Sequence, residues 1–233
     1  MKKLKKLNIL SIIPARSGSK GIKNKNLSNL KNKPLISYTF KIAKKLKKFR
    51  TFLSTDSKKI IKIGLNYGIK DNYIRPKKLS GSNSNIIDAV FHGLDHLKKN
   101  SEKFTHILLL QPTSPFRLLK DIKKIIDLLK KKKLESICSI SRYINNPIYF
   151  VEKNNSSNWK YSFKKKKRIF NRQQVKKNFY IIDGSVYFAS IKFLNKYKKF
   201  VVQDKTYLYQ PNNNFNIDID ENLDLKIARK LLS

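Results

Sequence analysis

Short, almost purely apolar runs alternate with segments of helical period through the first 140 residues, and this alternation constrains the fold more than any other feature of the chain. Residues 7–13 form the first such run. Residues 34–43 follow with apolar side chains at helical spacing, and Pro34 has the fixed φ that suits a first helical turn. The rhythm continues with a strand over 51–54, a helix over 57–67 that stops at Gly68, a helix over 86–97, a strand over 105–110, a helix over 118–132 and a strand over 136–141. Strands separated by helices join through crossovers, which lay helices on both faces of a sheet whose strands run the same way. The expectation is an α/β domain with a mostly parallel sheet, in which a ligand lies beyond the carboxyl ends of the strands.

The rhythm breaks over 145–178, which is rich in Asn, Ser and Lys and holds the sole Trp, Trp159, and the basic run 164–168. It reads as a β-hairpin excursion or small subdomain inside a single domain spanning 1–233. A strand over 180–189 and a segment over 215–220 then lead into a last helix over 223–232.

Charge needs its own account. Lys and Arg number 53 against 15 Asp and Glu, a formal net charge of +38. With 40% hydrophobic residues the chain still buries a core, so wholesale disorder is excluded. Lys outnumbers Arg 45 to 8 in a chain also rich in Asn and Ile, a bias that AT-rich codons produce. Codon drift does not explain the scarcity of acids. A positive field attracts any polyanion, so a basic nucleic-acid-binding protein is the rival reading from another class. Lysine runs such as 130–133 and 164–167 read more simply as solvated surface. One cysteine, Cys138, excludes a disulfide framework or a cysteine-rich zinc site and suits a reducing, cytoplasmic setting. The basic start is followed by an apolar stretch broken by Asn8 and Ser11 and ended by Pro14, which is no signal peptide. No run approaches the ~20 residues of a membrane span.

Three segments carry chemistry. Ile13-Pro-Ala-Arg-Ser-Gly-Ser-Lys-Gly21, followed by Lys23-Asn-Lys-Asn26, comes directly after the first strand. Its glycines let backbone N–H groups approach phosphate, and its cations neutralise charge on a phosphoryl group. It has neither the Walker A spacing nor the Gly-x-Gly-x-x-Gly of dinucleotide folds, and its plain alternative is an ordinary basic βα loop. In Gln111-Pro-Thr-Ser-Pro-Phe-Arg117 two prolines stiffen the end of a strand, so Gln111, Thr113, Ser114 and Arg117 are expected to project where a ligand lies. In Asp218-Ile-Asp220 the two carboxylates share one face of an extended segment, which suits Mg2+ and the phosphates it bridges. The plain alternative there is that Asp220 caps the final helix. His92 and His96 stand four apart on a helix without a third good ligand, and Cys138 reads as core.

In this order and spacing, and with Ser54-Thr-Asp56, Arg75-Pro76, Leu79-Ser80, Arg172-Gln173, Gly184-Ser-Val-Tyr187 and Leu223-Asp-Leu225, the segments resemble the acylneuraminate cytidylyltransferases, the CMP-sialic acid synthetases and their legionaminate relatives. The resemblance covers nearly the whole chain. It implies a Rossmann-like nucleotidyltransferase that moves CMP from CTP to a nine-carbon nonulosonic acid and releases pyrophosphate. By matched position it implies that Ala15, Arg16, Ser19, Lys20, Gly21 and Lys25 hold the triphosphate, with Arg16, Lys20, Lys25 and Asp220 acting in the chemistry. It further implies that Arg75 and Ser80 recognise cytosine, that Gln111, Arg172, Gln173 and Asp183 face the sugar, and that Asp218 and Asp220 bind Mg2+. CTP and the acid are then the partners, with no nucleic acid and no membrane, and 145–178 pairs two subunits of a homodimer. Three departures stand out: Gly81-Ser-Asn83 where an acidic residue is usual, Asp183 before the glycine of an Asn-Gly-x-x-Tyr strand, and Val175-Lys176 for Leu-Pro. A cytidylyltransferase for KDO or pseudaminate is the near alternative.

Overall fold

The computed structural model describes residues 7–71, 73–81, 83–143, 145, 147, 150–153, 158–162, 178–211 and 216–232. Arg172, Gln173 and the basic run 164–168 lie outside the described residues.

The expected strands form one sheet. β1 (Ile9–Pro14) is buried at its first five positions, as a strand covered on both faces must be. A short hairpin, β2 (Asn29–Leu30) and β3 (Lys33–Pro34), precedes helix α1 (Ile36–Lys45). β4 (Arg50–Ser54) leads into α2 (Lys58–Leu65), whose N-cap Ser57 accepts the Ile60 N–H. α3 (Ile86–Lys99), β5 (His106–Leu109), α4 (Leu119–Lys132) and β6 (Ser136–Tyr143) follow as the periodicity predicts. β7 (Val151–Lys153) and β8 (Trp159–Tyr161) form an antiparallel hairpin inside the expected excursion. β9 (Phe179–Ser190), α5 (Ile191–Tyr197), β10 (Tyr207–Tyr209) and α6 (Asn222–Leu231) complete the chain. Among the described residues no helix is long and apolar enough to cross a membrane.

The sheet order is β10-β6-β9-β5-β1-β4. β1 pairs in parallel with β4 and β5, β10 in parallel with β6, and β9 runs antiparallel to both β5 and β6. The sheet is therefore mostly parallel with one reversed strand. β10 has no counterpart in the sequence reading, because its three residues are too few to show a period. The pairing of β6 with β9 is interrupted: Cys138 faces Tyr187 and Ile140 faces Ile182, so Ser139 stands opposite residues 183–186. Such a bulge bends a strand and redirects its side chains, and this one lies beside the cleft described below.

One apolar layer, with Ile13, Phe40, Leu108, Ile125 and Phe188, packs under α1, α2 and α4, and another, with Leu10, Phe52, Val90, Leu109 and Phe193, packs under α3 and α5. A third, smaller cluster of Ile22, Leu30, Leu35, Ile219, Leu225 and Ala228 joins the loop after β1 to the segment before α6. Fully burying side chains such as Ile22 and Ile219 stabilises by about 1.5–3 kcal/mol each. That burial brings the first and third chemical segments together across 197 positions of sequence (219 − 22).

Candidate active site

A cleft of about 660 Å3 opens beyond the carboxyl ends of β1 and β5. It is lined by Arg16, Ser19, Lys20, Gly21 and Lys25 of the loop after β1, by Asp218 and Asp220, and by Arg75 and Gln111. All nine are residues singled out from the sequence.

The loop and the acidic segment touch. Lys25 Nζ lies 2.6 Å from Asp220 Oδ1. A Cβ on Gly21 would stand 2.3 Å from the backbone oxygen of Asp220, so only glycine fits at this approach. Ile219 is buried while Asp218 and Asp220 are exposed, which is the alternation an extended backbone gives. Asp220 does not cap the last helix. The N-cap is Glu221, and Asp224 accepts the N–H groups of both Asp220 and Glu221, leaving the Asp220 carboxylate to Lys25.

Other contacts fix the loop. Asp56 accepts the Ser17 N–H and the Ser17 hydroxyl, each at 2.7 Å. Sequence reasoning noticed Asp56 within its Ser-Thr-Asp motif without assigning this clamp. The Ser19 hydroxyl donates to the Ile22 carbonyl and accepts the Lys25 N–H at 3.2 Å, so it shapes the loop from within. Arg16 reaches across the cleft and donates to the Gly81 carbonyl at 2.7 Å. Ala15 is fully buried beneath the loop, its N–H bonded to the Ser54 carbonyl at 2.9 Å.

At the end of β4, Arg75 is buried and its guanidinium donates to the hydroxyl and the carbonyl of Ser54. Desolvation lowers its pKa from the usual arginine value. Ser80, expected at the base, ends a short 3-10 turn over Lys77–Leu79, and its hydroxyl donates back to the Pro76 carbonyl; Leu79 and Ser84 line the cleft, and Ser80 does not. The N-terminus of α3 does reach the cleft, with the cap Asn85 accepting the Ile87 N–H at 3.1 Å. An Asn just before an apolar helical pattern is a cap signal readable in the sequence, and it marks this end of the cleft.

Two sequence expectations are corrected in the β5 loop. Arg117 and Ser114 do not project toward a ligand; they are 3% and 1% exposed. Arg117 donates to the carbonyls of Ser185 and Gln111 and to the Thr39 hydroxyl. Burial pushes its pKa down to about 10 against the opposing pull of Asp183 and Asp218. Asp183, expected at the sugar side, is also buried: its carboxylate accepts from Ser139, Ser141, the Ser185 N–H and Asn216. Four donors leave it no free face for a sugar.

The carboxyl of Asp218 is held above the usual carboxylate range, first by desolvation and then by Asp220, while the Thr113 hydroxyl, Lys25 and Arg117 pull the other way. Asp218 is open to the cleft on one side, yet protein atoms crowd its other side. Two neighbouring carboxylates that repel each other are relieved by a divalent cation, and Mg2+ is commonly held by one or two carboxylates plus substrate phosphates. The donor set therefore fits Mg2+. His92 Nδ1 instead lies 2.6 Å from the Tyr73 hydroxyl, and no cluster of three or more metal-ligating side chains occurs among the described residues.

A smaller recess of about 260 Å3 shares Asn85, Ile86 and Gln111 with the cleft. Its walls are largely apolar, with Leu109, Tyr187, Phe200 and Val201, and Lys198 and Lys199 stand at it. The site thus consists of a basic, glycine-containing chamber with an acidic pair and an adjoining apolar recess.

The comparisons agree with this chemistry. The family model described as cytidylyltransferase matches residues 10–229. The chain is 30% identical to the CMP-N,N'-diacetyllegionaminic acid synthase of Legionella pneumophila, over 97% of each chain. It is 30% identical to the pseudaminic acid cytidylyltransferase of Campylobacter jejuni over 95% of each chain. It is also 30% identical to the N-acylneuraminate cytidylyltransferase of Escherichia coli, where the match covers 94% of this chain and 51% of that longer protein. Among solved structures, a CMP:2-keto-3-deoxy-manno-octonic acid synthetase complexed with CTP superposes with a TM-score of 0.65 at 14% identity, covering 97% of this chain and 98% of that one. At that identity the likeness speaks for the fold alone.

Proposed function

The chain belongs to the cytidylyltransferase family, and from that premise we propose that it activates a nonulosonic acid, converting CTP and the acid to a CMP-sugar and pyrophosphate. The observation that carries this reading is the contact of the glycine loop with the acidic pair, through Gly21 and the Lys25–Asp220 ion pair, in one cleft at the carboxyl ends of the strands.

In this reading the loop and the cations Arg16, Lys20 and Lys25 hold the triphosphate. Arg16 exchanges its bond to the Gly81 carbonyl for a phosphate oxygen. Arg75 and the N-terminus of α3 take the base, and Gln111 faces the sugar, whose acylated arms enter the apolar recess. The acid's anomeric hydroxyl forms a bond to the α-phosphorus and gives up its proton to solvent, while the bond to the bridging oxygen breaks and pyrophosphate leaves with the bonding electrons. Most of the rate comes from positioning and from fixed charge around the phosphates. Asp218 and Asp220 would hold Mg2+, which neutralises charge on the departing pyrophosphate. We read the setting as cytoplasmic, because the reaction draws on CTP.

We read the assembly as a homodimer. The exposed apolar side chains of the hairpin, Val151, Trp159 and Tyr161, lie in the excursion, and Tyr180, Ile181 and Ile182 are consecutive and all exposed on β9. Consecutive residues point to opposite faces of a strand, so both faces of this part of β9 need a cover.

The test is pyrophosphate release from CTP, supplied with Mg2+ and a panel of nonulosonic acids. Release is expected only when an acid is present and should collapse in Asp220→Asn and Lys20→Ala. Folded variants that keep wild-type turnover would overturn the assigned roles.

A further inference from the structure

We propose that the buried pair Arg117 and Asp183 are positioning residues that hold the carboxylate of Asp218 in place from two sides. The inference rests on the reading of Asp218 as a metal carboxylate.

The first side is the bulge of β9. The backbone of Ser185 is gripped on both sides: Asp183 Oδ1 accepts its N–H at 3.0 Å, and its carbonyl accepts from Arg117 Nε. Ser139 reinforces the bulge, its hydroxyl donating to Asp183 and accepting the Val186 N–H at 2.9 Å. Gly184, at φ +70°, is pressed by this grip against Asp218, such that a Cβ on it would stand 3.0 Å from Asp218 Oδ2. The bulge is thus shaped by the two charges and forms the seat of the carboxylate.

The second side is the chain that carries Asp218. Asp183 Oδ2 accepts from Asn216 Nδ2, two residues before Asp218. Arg117 Nη2 donates to the Gln111 carbonyl at 2.8 Å, and two residues further on the Thr113 carbonyl accepts the N–H of Ile219, the residue next to Asp218, at 2.8 Å. Asp183 therefore bonds both the bulge and Asn216, and Arg117 bonds both the bulge and the strand end that leads to Thr113. Both are buried and neither lines the cleft, unlike Arg75, and the charge of Asp183 offsets part of the burial of Arg117.

The test reads Mn2+ binding to the full chain from the EPR signal of free ion, alongside Tm, in Arg117→Met, Asp183→Asn, the double variant and Asn216→Ala. Each is expected to weaken Mn2+ binding about tenfold, as loss of partners behind a metal ligand does. The two single charge variants also lose Tm, since each strands the other charge. The double variant recovers Tm without recovering Mn2+ affinity, and Asn216→Ala loses affinity at nearly unchanged Tm. A purely structural role moves the two readouts together, so wild-type affinity in the double variant and in Asn216→Ala overturns the proposal. Asp218→Asn separates the two failures. If it abolishes Mn2+ binding while the clamp variants bind normally, the clamp alone is wrong; if it changes nothing, the metal reading fails and the clamp with it.

Discussion

Lys25 Nζ lies 2.6 Å from Asp220 Oδ1, a contact between two residues 195 positions apart. The lysine side chain is 13% exposed and the aspartate 69%, so solvent screens the pair and its contribution to stability is at most about 1 kcal/mol. Its consequence is electrostatic, since it sets a cation and an anion at fixed places beside the loop after β1. Lys25→Met and Asp220→Asn should each lower kcat/KM by roughly 10²–10³-fold with little change in Tm. Steady-state kinetics and thermal melts on the same preparations check both halves.

Gly21→Ala tests the close approach itself. The new methyl would meet the Asp220 backbone oxygen at 2.3 Å, a rigid neighbour rather than a side-chain tip. Loop and acidic segment must separate, at a cost of about 1–3 kcal/mol, and the cations of the loop move with them. Urea denaturation should show the loss of stability, and kcat/KM should fall by more than the loss in folded fraction. A variant with wild-type stability and rate would mean that the two segments are not locked together in solution.

Cys138 gives a pH prediction. Burial, with Asp183 adding to it, pushes its thiol up to about 12 from an ordinary 9.0. Above pH 9 the unfolded chain releases this proton while the folded chain keeps it, so the native state binds more protons and stability falls as pH rises. The contribution is complete below about pH 9 and is lost on the way to about 12. Between about pH 9 and 10 wild type should therefore lose stability more steeply than Cys138→Ala, by up to about 1.4 kcal/mol per pH unit. The native thiol should also resist alkylation at about pH 8 until the protein is unfolded.

The exposed aromatics of the hairpin bear on assembly. Trp159 is 57% exposed and packs edge-on against Tyr161 with ring centroids 5.2 Å apart. Replacing both by Ser should shift the protein toward monomer in light scattering at micromolar concentration. A wild-type protein that is already monomeric contradicts the homodimer.

Much of this was legible in the sequence because the informative signals are local. Apolar runs and helical periods predict β1, β4, β5, β6 and α1 to α4, and Asp218-Ile-Asp220 predicts two carboxylates on one face. What escaped depends on partners distant in sequence. Arg117 looks like a ligand-facing cation until Ser185 and Thr39 are found around it. Asp183 reads as a charge facing the sugar until four donors converge on it from β6, the bulge and Asn216. Capping by Glu221 and Asp224, in place of Asp220, is decided by one residue of register, which composition does not fix. The large positive charge narrows to a handful of cations at the cleft, with Arg16, Lys20 and Lys25 on one loop.

Mass spectrometry of the product formed when purified protein is given CTP, Mg2+ and a panel of nonulosonic acids reads the proposed transfer itself. A CMP-sugar is expected in one-to-one yield with pyrophosphate, lost on chelation of the metal and in Asp220→Asn. A folded protein that forms no CMP-sugar with any acid of the panel, or forms it equally well as Asp220→Asn, would contradict it.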